Sequence, residues 1–205
     1  LMQNPYMHAL QVCFTIILPM IMVGSLASLF NTFRNFVSWL PDLSLINSFS
    51  FGLISIFMAF LIPYTIMESK KLQKQKMITG FASVSALIAL ANPQYVDGNL
   101  VVNAGYVGTS GMTVAMVVGL LVGWLFSTYF KHGLFKKDSS LPTVVVVWFE
   151  SILIIFVLIL ACIFIGQAVD LFSLMEVVFR PLANIGNTYL GFLLLYMIMA
   201  LCYCC

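Results

Sequence analysis

From Val144 to Ala168 the chain reads VVVVWFESILIIFVLILACIFIGQA, 25 residues with a single charge, Glu150. A helix this apolar on every face cannot lie on a soluble core, because one side would stay in water. Lipid is the consistent solvent, since a bilayer's hydrocarbon core, about 30 Å thick, is crossed by about 20 apolar residues as helix. The remaining chain agrees. It is 62% hydrophobic and 8% charged, with mean hydropathy +1.07, whereas soluble domains carry about 25% charged residues. A net charge of +2 gives no case for a nucleic-acid partner. The reading is therefore an all-α, polytopic membrane protein.

Six stretches come near spanning length: about His8–Phe30, Phe49–Met67, the shorter Met77–Ala91, Thr113–Phe130, Val144–Ala168 and Tyr189–Cys205. Lysines orient them. ESKKLQKQK, between the second and third, holds Lys70, Lys71, Lys74 and Lys76; KHGLFKKDSS, between the fourth and fifth, holds Lys131, Lys136 and Lys137. Cytoplasmic loops carry the Lys/Arg excess. Both lysine loops and the N-terminus are thus expected on the cytoplasmic side of the membrane. No charged segment precedes the first apolar run, so a cleavable signal peptide is not expected.

Two connections stand out. NPQYVDGNLVVNAGYVGTSG is rich in Gly and Asn, and its short apolar patches suit a small hairpin at the outer face. VDLFSLMEVVFR sets Asp170, Ser173, Glu176 and Arg180 on one helical stripe. That fits a short surface helix between spans five and six, or a polar cap before Pro181.

Few residues carry chemistry. Glu150 follows Pro142 by eight residues, roughly 12 Å of helix rise, which puts a carboxylate inside the hydrocarbon. There it needs a partner, water or a proton. It is a weak substrate-binding candidate, a proton carrier, or an acid hydrogen-bonded to a neighbouring helix. Gly119 and Gly123, four apart, let two helix backbones approach closely, within the chain or across a dimer interface. His8 and His132 are far apart in sequence and come with no Ser/His/Asp set. The five cysteines, Cys202, Cys204 and Cys205 among them, lie in apolar runs without ligand spacing. They read as small apolar side chains, with acylation or metal binding at the CYCC end as the alternatives. No catalytic set, metal site or cofactor is expected.

Four segments, in order, resemble one family. NPYMHALQVCFTIILPMIMVGSLASLF places Asn4, Pro5, Tyr6, Pro19, Val23, Gly24 and Ser25. YVGTSGMTVAMVVGLL places Gly108, Gly111, Met112 and Ala115, and LPTVVVVWFE places Pro142, Val145 and Phe149. FRPLANIGNTYLGFLLLY places Pro181, Leu182, Gly186 and Asn187. The pattern resembles the Enzyme IIC permease subunit of the bacterial sugar phosphotransferase system, in its lactose/cellobiose/diacetylchitobiose branch. The departures are Gln11, Val12 and Cys13 where the family has Arg-Asp-Gly, and Thr143, Trp148 and Glu150 in the fifth-span motif.

The resemblance implies a division of labour. Residues 1–168 would form a five-span scaffold and dimerisation half, 169–188 an outer surface connection, and 189–205 the first helix of a transport half. The family's Gly-Ile-His-Gly and Asn-Glu-Pro motifs, whose His and Glu engage the sugar, do not occur in these 205 residues. The implied function is uptake of a disaccharide-type sugar coupled to its phosphorylation by a cytosolic phosphorylated Enzyme IIB, in a homodimer within the lipid bilayer. Two other readings stay open: a non-catalytic membrane scaffold, and a small proton-coupled carrier using Glu150.

Overall fold

In the computed structural model, residues 4–36, 39–96, 98–132 and 143–168 are described, with Ser173 and Val177. The expected surface helix and sixth span lie, apart from those two residues, outside the described ones. The elements in order are α1 (Pro5–Arg34), α2 (Ser44–Ser50), α3 (Ile54–Ser69), α4 (Lys76–Leu90), β1 (Gln94–Val96), β2 (Asn99–Val101), a short α5 (Ala104–Val107), α6 (Met112–His132) and α7 (Thr143–Ala168). Among the described residues four helical stretches are long and apolar enough to cross a membrane: Pro5–Arg34, Ser44–Ser69, Thr109–Lys131 and Ser151–Ala168. The protein is an all-α polytopic membrane protein, and the described residues include a small hairpin.

The second span begins earlier than its apolar run. Ser44, Asn47 and Ser48 are polar, yet they enter α2, which passes through a 3₁₀ turn at Phe51–Leu53 into α3. The Ser48 and Ser50 hydroxyls bond back to the carbonyls of Ser44 and Ile46, which hides their polarity. At the turn, Phe51 lies against Gly24 of α1; a Cβ on that glycine would come within 2.7 Å of the ring.

α3 is the central post. It packs on α1, α4 and α6, and Ile54, Met58, Ala59, Ile62, Ile66 and Met67 are fully or almost fully buried. α1 instead buries only the stripe Ala9, Cys13, Ile17, Gly24 and Ala27. Its other faces carry Phe14, Ile16, Leu18, Met22, Leu26 and Leu29, all exposed. A helix whose outer surface is as apolar as its inner one has a lipid-facing side.

α4 has 15 residues, about 22 Å of helix, short of the hydrocarbon thickness. It is tolerated because α3, α6 and α7 surround it. Backbone that leaves the helix at membrane depth is acceptable where protein covers it. Its small residues, Thr79, Gly80, Ala82, Ser83 and Ala86, face inward, while Met77 and Phe81 face out. Helices in lipid gain nothing hydrophobically by meeting, so close contact between small residues is what holds them.

β1 and β2 form an antiparallel hairpin with Gln94 opposite Val101 and Val96 opposite Asn99. Gly98 in the turn has φ +79°, a conformation open to glycine without steric cost.

Candidate functional site

An apolar bundle offers chemistry only where polar side chains gather, and among the described residues they gather at its two ends. At one end the start of α1, the end of α3 and the last turns of α6 converge on Lys70. Its Nζ donates to the Tyr6 hydroxyl at 2.6 Å and to Ser127 Oγ at 2.8 Å. It also lies 4.5 Å from the centre of the Tyr6 ring. Ser127 is fully buried and itself donates to the Trp124 carbonyl at 2.9 Å. One ammonium therefore fastens three helices through hydroxyls and a ring face. The dipoles stabilise its charge where no carboxylate among the described residues pairs with it.

The loop that follows is shaped by α3's ending. The Lys71 N–H bonds the Glu68 carbonyl at 3.0 Å, and the Leu72 N–H the Met67 carbonyl at 2.9 Å. Lys71 has φ +62°. This is a Schellman ending with lysine in the left-handed position that glycine usually fills. Lys76, opening α4, then pairs with Glu68 at 2.9 Å and lies 4.7 Å from the Tyr64 ring centre. His8 is exposed, with Nδ1 3.5 Å from Ser69 Oγ. Among the described residues no carboxylate orients it as a base.

At the opposite end the hairpin, α5 and the last turns of α4 and α7 enclose a cavity of about 320 Å³. Its polar lining is Asn92, Gln94, Asn103 and Tyr106; Leu90, Ala91, Val101 and Gly166 complete it. Asn103 Oδ1 accepts the Gly105 N–H at 2.9 Å, which fixes that carboxamide. A Cβ on Gly166 would meet the Ala89 carbonyl oxygen at 3.1 Å. Glycine there lets α7 touch α4. Nearby, the buried Ser55 hydroxyl donates to the Gly108 carbonyl at 2.5 Å and ties α3 to the segment entering α6. Beneath lies a wholly apolar cavity of about 340 Å³ between α6 and α7, which shares Leu90 with the polar one.

At this same end Arg34 pairs with Asp42 at 2.9 Å, both exposed. Hydrogen bonds from the Ser44 backbone N–H, first, and the Ser44 hydroxyl hold the Asp42 carboxyl below the usual carboxylate range, with Arg34 adding to them.

The sequence-derived candidates fall elsewhere. Gly119 and Gly123 sit mid-bundle on α6, facing α3. A Cβ at Gly119 would meet Ile62 Cβ at 3.0 Å, and one at Gly123 would meet Ile66 Cδ1 at 2.6 Å and Pro63 Cα at 3.3 Å. Glu150 is the eighth residue of α7, and its side chain lies outside the described ones. His132 ends α6, and its side chain is likewise outside them. Among the described residues no group of His, Cys, Asp and Glu could hold a metal ion. Sequence reasoning missed the Lys70 junction and the carboxamide cavity. Four carboxamides in the stretch Asn92–Asn103, against one acid, were the available signal for the second.

The family model described as "Phosphotransferase system, EIIC" matches residues 12–205. No curated protein and no solved structure matches the chain.

Proposed function

This chain belongs to the phosphotransferase system EIIC family, and from that premise we propose that it serves the uptake of a disaccharide-type sugar coupled to its phosphorylation. The coarse function, a membrane permease component of a sugar phosphotransferase system, follows from the family itself. The single observation that carries the reading is the match over residues 12–205, joined to a bundle of apolar spans.

In the proposal, residues 1–168 are the scaffold half of a homodimer and stay fixed while sugar crosses. The lysine end, with Lys70, Lys71, Lys74, Lys76 and Lys131, faces the cytoplasm of a bacterial cell, in line with the Lys/Arg bias of cytoplasmic loops. The hairpin end faces outward. Residues 169–188 connect this scaffold to a transport half that begins within 189–205. A phosphorylated cytosolic Enzyme IIB docks at the lysine end. The phosphoryl group leaves its cysteine sulfur and joins a sugar hydroxyl, whose proton passes to a base. The described side chains supply no oriented base, and in the proposal the transport half supplies it. Glu150 is a structural acid in this reading.

The experiment is uptake of labelled disaccharide by cells that lack their own permease but hold the cytosolic phosphotransfer proteins. Expression of the gene should yield intracellular sugar phosphate. Accumulation of free sugar, or of none, contradicts the proposal. Glu150→Gln should leave uptake and its pH profile unchanged; loss of a pH-dependent uptake would favour the proton-coupled carrier.

A further inference from the structure

The geometry points to the hairpin-end cavity as an outer capture site for an uncharged, polyhydroxylated ligand, occupied before the ligand enters the transport path. This rests on the sugar-uptake reading and assigns part of it to residues of the scaffold.

The lining chemistry selects the ligand class. Asn92, Gln94 and Asn103 present carboxamides, and Tyr106 a phenol. A carboxamide offers both donor and acceptor in one plane, which matches neighbouring hydroxyls on a sugar ring, themselves donors and acceptors. Among the described lining residues there is no lysine, arginine, aspartate or glutamate, and those residues offer an anion or cation no counter-charge. A lipid tail is better served by the apolar cavity that begins on the other side of Leu90. Leu90 and Gly166 give the polar cavity an apolar floor for the C–H face of a ring. Its volume of about 320 Å³ falls within the range of about 300–1,000 Å³ usual for small-molecule sites.

Part of the site is also set in advance. The Gly105 N–H occupies Asn103 Oδ1 and leaves the NH₂ as the group to be offered. Strand register holds Gln94 opposite Val101, so the two form one wall. Groups fixed before binding lose less freedom on binding.

The test uses Gln94→Cys in a chain whose Cys202, Cys204 and Cys205 are serine, since Cys13 and Cys162 are buried. A membrane-impermeant thiol reagent is applied to intact cells. Cellobiose at about ten times its dissociation constant should slow labelling about tenfold, and the same concentration of glutamate should not. In parallel, Gln94→Ala should raise the uptake KM about five- to tenfold for the lost hydrogen bond and leave the maximal rate unchanged. A merely structural role would lower the maximal rate and spare KM. Labelling that lactose, cellobiose and diacetylchitobiose all fail to slow, in cells that still take up one of them, overturns the capture site and leaves the uptake reading standing. A chain that transports none of them, yet is protected by one, sinks the uptake reading and keeps the site.

Discussion

The two ends of this bundle are both polar, but they are built on opposite plans. At the lysine end one ammonium is drawn into the helix junction and shared between Tyr6 and Ser127, and a Schellman ending fixes the loop beyond it. At the hairpin end the polar groups are carboxamides that line a cavity instead of closing one. The first end spends its polarity on holding helices together. The second arrays its carboxamides along a cavity wall. In the proposed reading, a scaffold that stays still while a ligand passes would benefit from this asymmetry: a fastened junction on one side, an accessible mouth on the other.

The comparison breaks most severely if the middle gives way first. Gly123→Leu drives a side chain into Ile66 and the backbone of Pro63. Overpacking of this kind costs about 1–3 kcal/mol. Thermal unfolding of the purified protein in detergent should show the largest loss of this series, and both ends should loosen together. Lys70→Met is next. It removes two charge-assisted hydrogen bonds, but the desolvation cost of the ammonium goes with them and Ser127 keeps its bond to Trp124, so the net loss is about 1.5 kcal/mol. The same scan should show a clear fall for Lys70→Met and almost none for Gln94→Ala, since polar changes outside packed contacts fall within about 0.5 kcal/mol. Equal losses at the two ends would erase the distinction.

Smaller effects sharpen it. Lys71→Gly relieves a left-handed lysine and should raise stability by about 1 kcal/mol, read as a higher unfolding midpoint. Smallest is the acid response of the hairpin end. Asp42 is exposed and its carboxyl is held below its ordinary range. Its contribution is complete above the ordinary carboxylate pKa and disappears as pH falls through the lower folded value. Asp42→Asn should slightly lower stability at neutral pH, where the carboxylate contributes in full, and remove the shallow further loss below about pH 4.

Much of the frame was legible in the sequence, because hydrophobic length and lysine placement are local signals. The runs His8–Phe30, Thr113–Phe130 and Val144–Ala168 fall inside α1, α6 and α7. The Asn- and Gly-rich stretch after Ala91 holds the expected hairpin. The start of the second span was less legible, since Ser44, Asn47 and Ser48 read as polar, and only the fold shows the Ser48 hydroxyl turned back onto the Ser44 carbonyl. Lys70 was hidden for a different reason. A lysine after a span orients the chain whether it points to water or into the bundle, and only the meeting of Tyr6 with Ser127 distinguishes the two. The cavity joins Asn92 and Asn103 to Gly166, separations that no local pattern encodes. Lys71 gave no sign either, since glycine, not lysine, announces a left-handed helix end.

The account stands on one arrangement: the Lys70 junction inside the cell and the carboxamide cavity outside it. In the background lacking Cys202, Cys204 and Cys205, single cysteines at Lys74 and at Leu100, both exposed, test it in intact cells with a membrane-impermeant thiol reagent. The prediction is that Leu100→Cys labels at once and Lys74→Cys only after the membrane is opened. The reverse order, or labelling of both from outside, would contradict it.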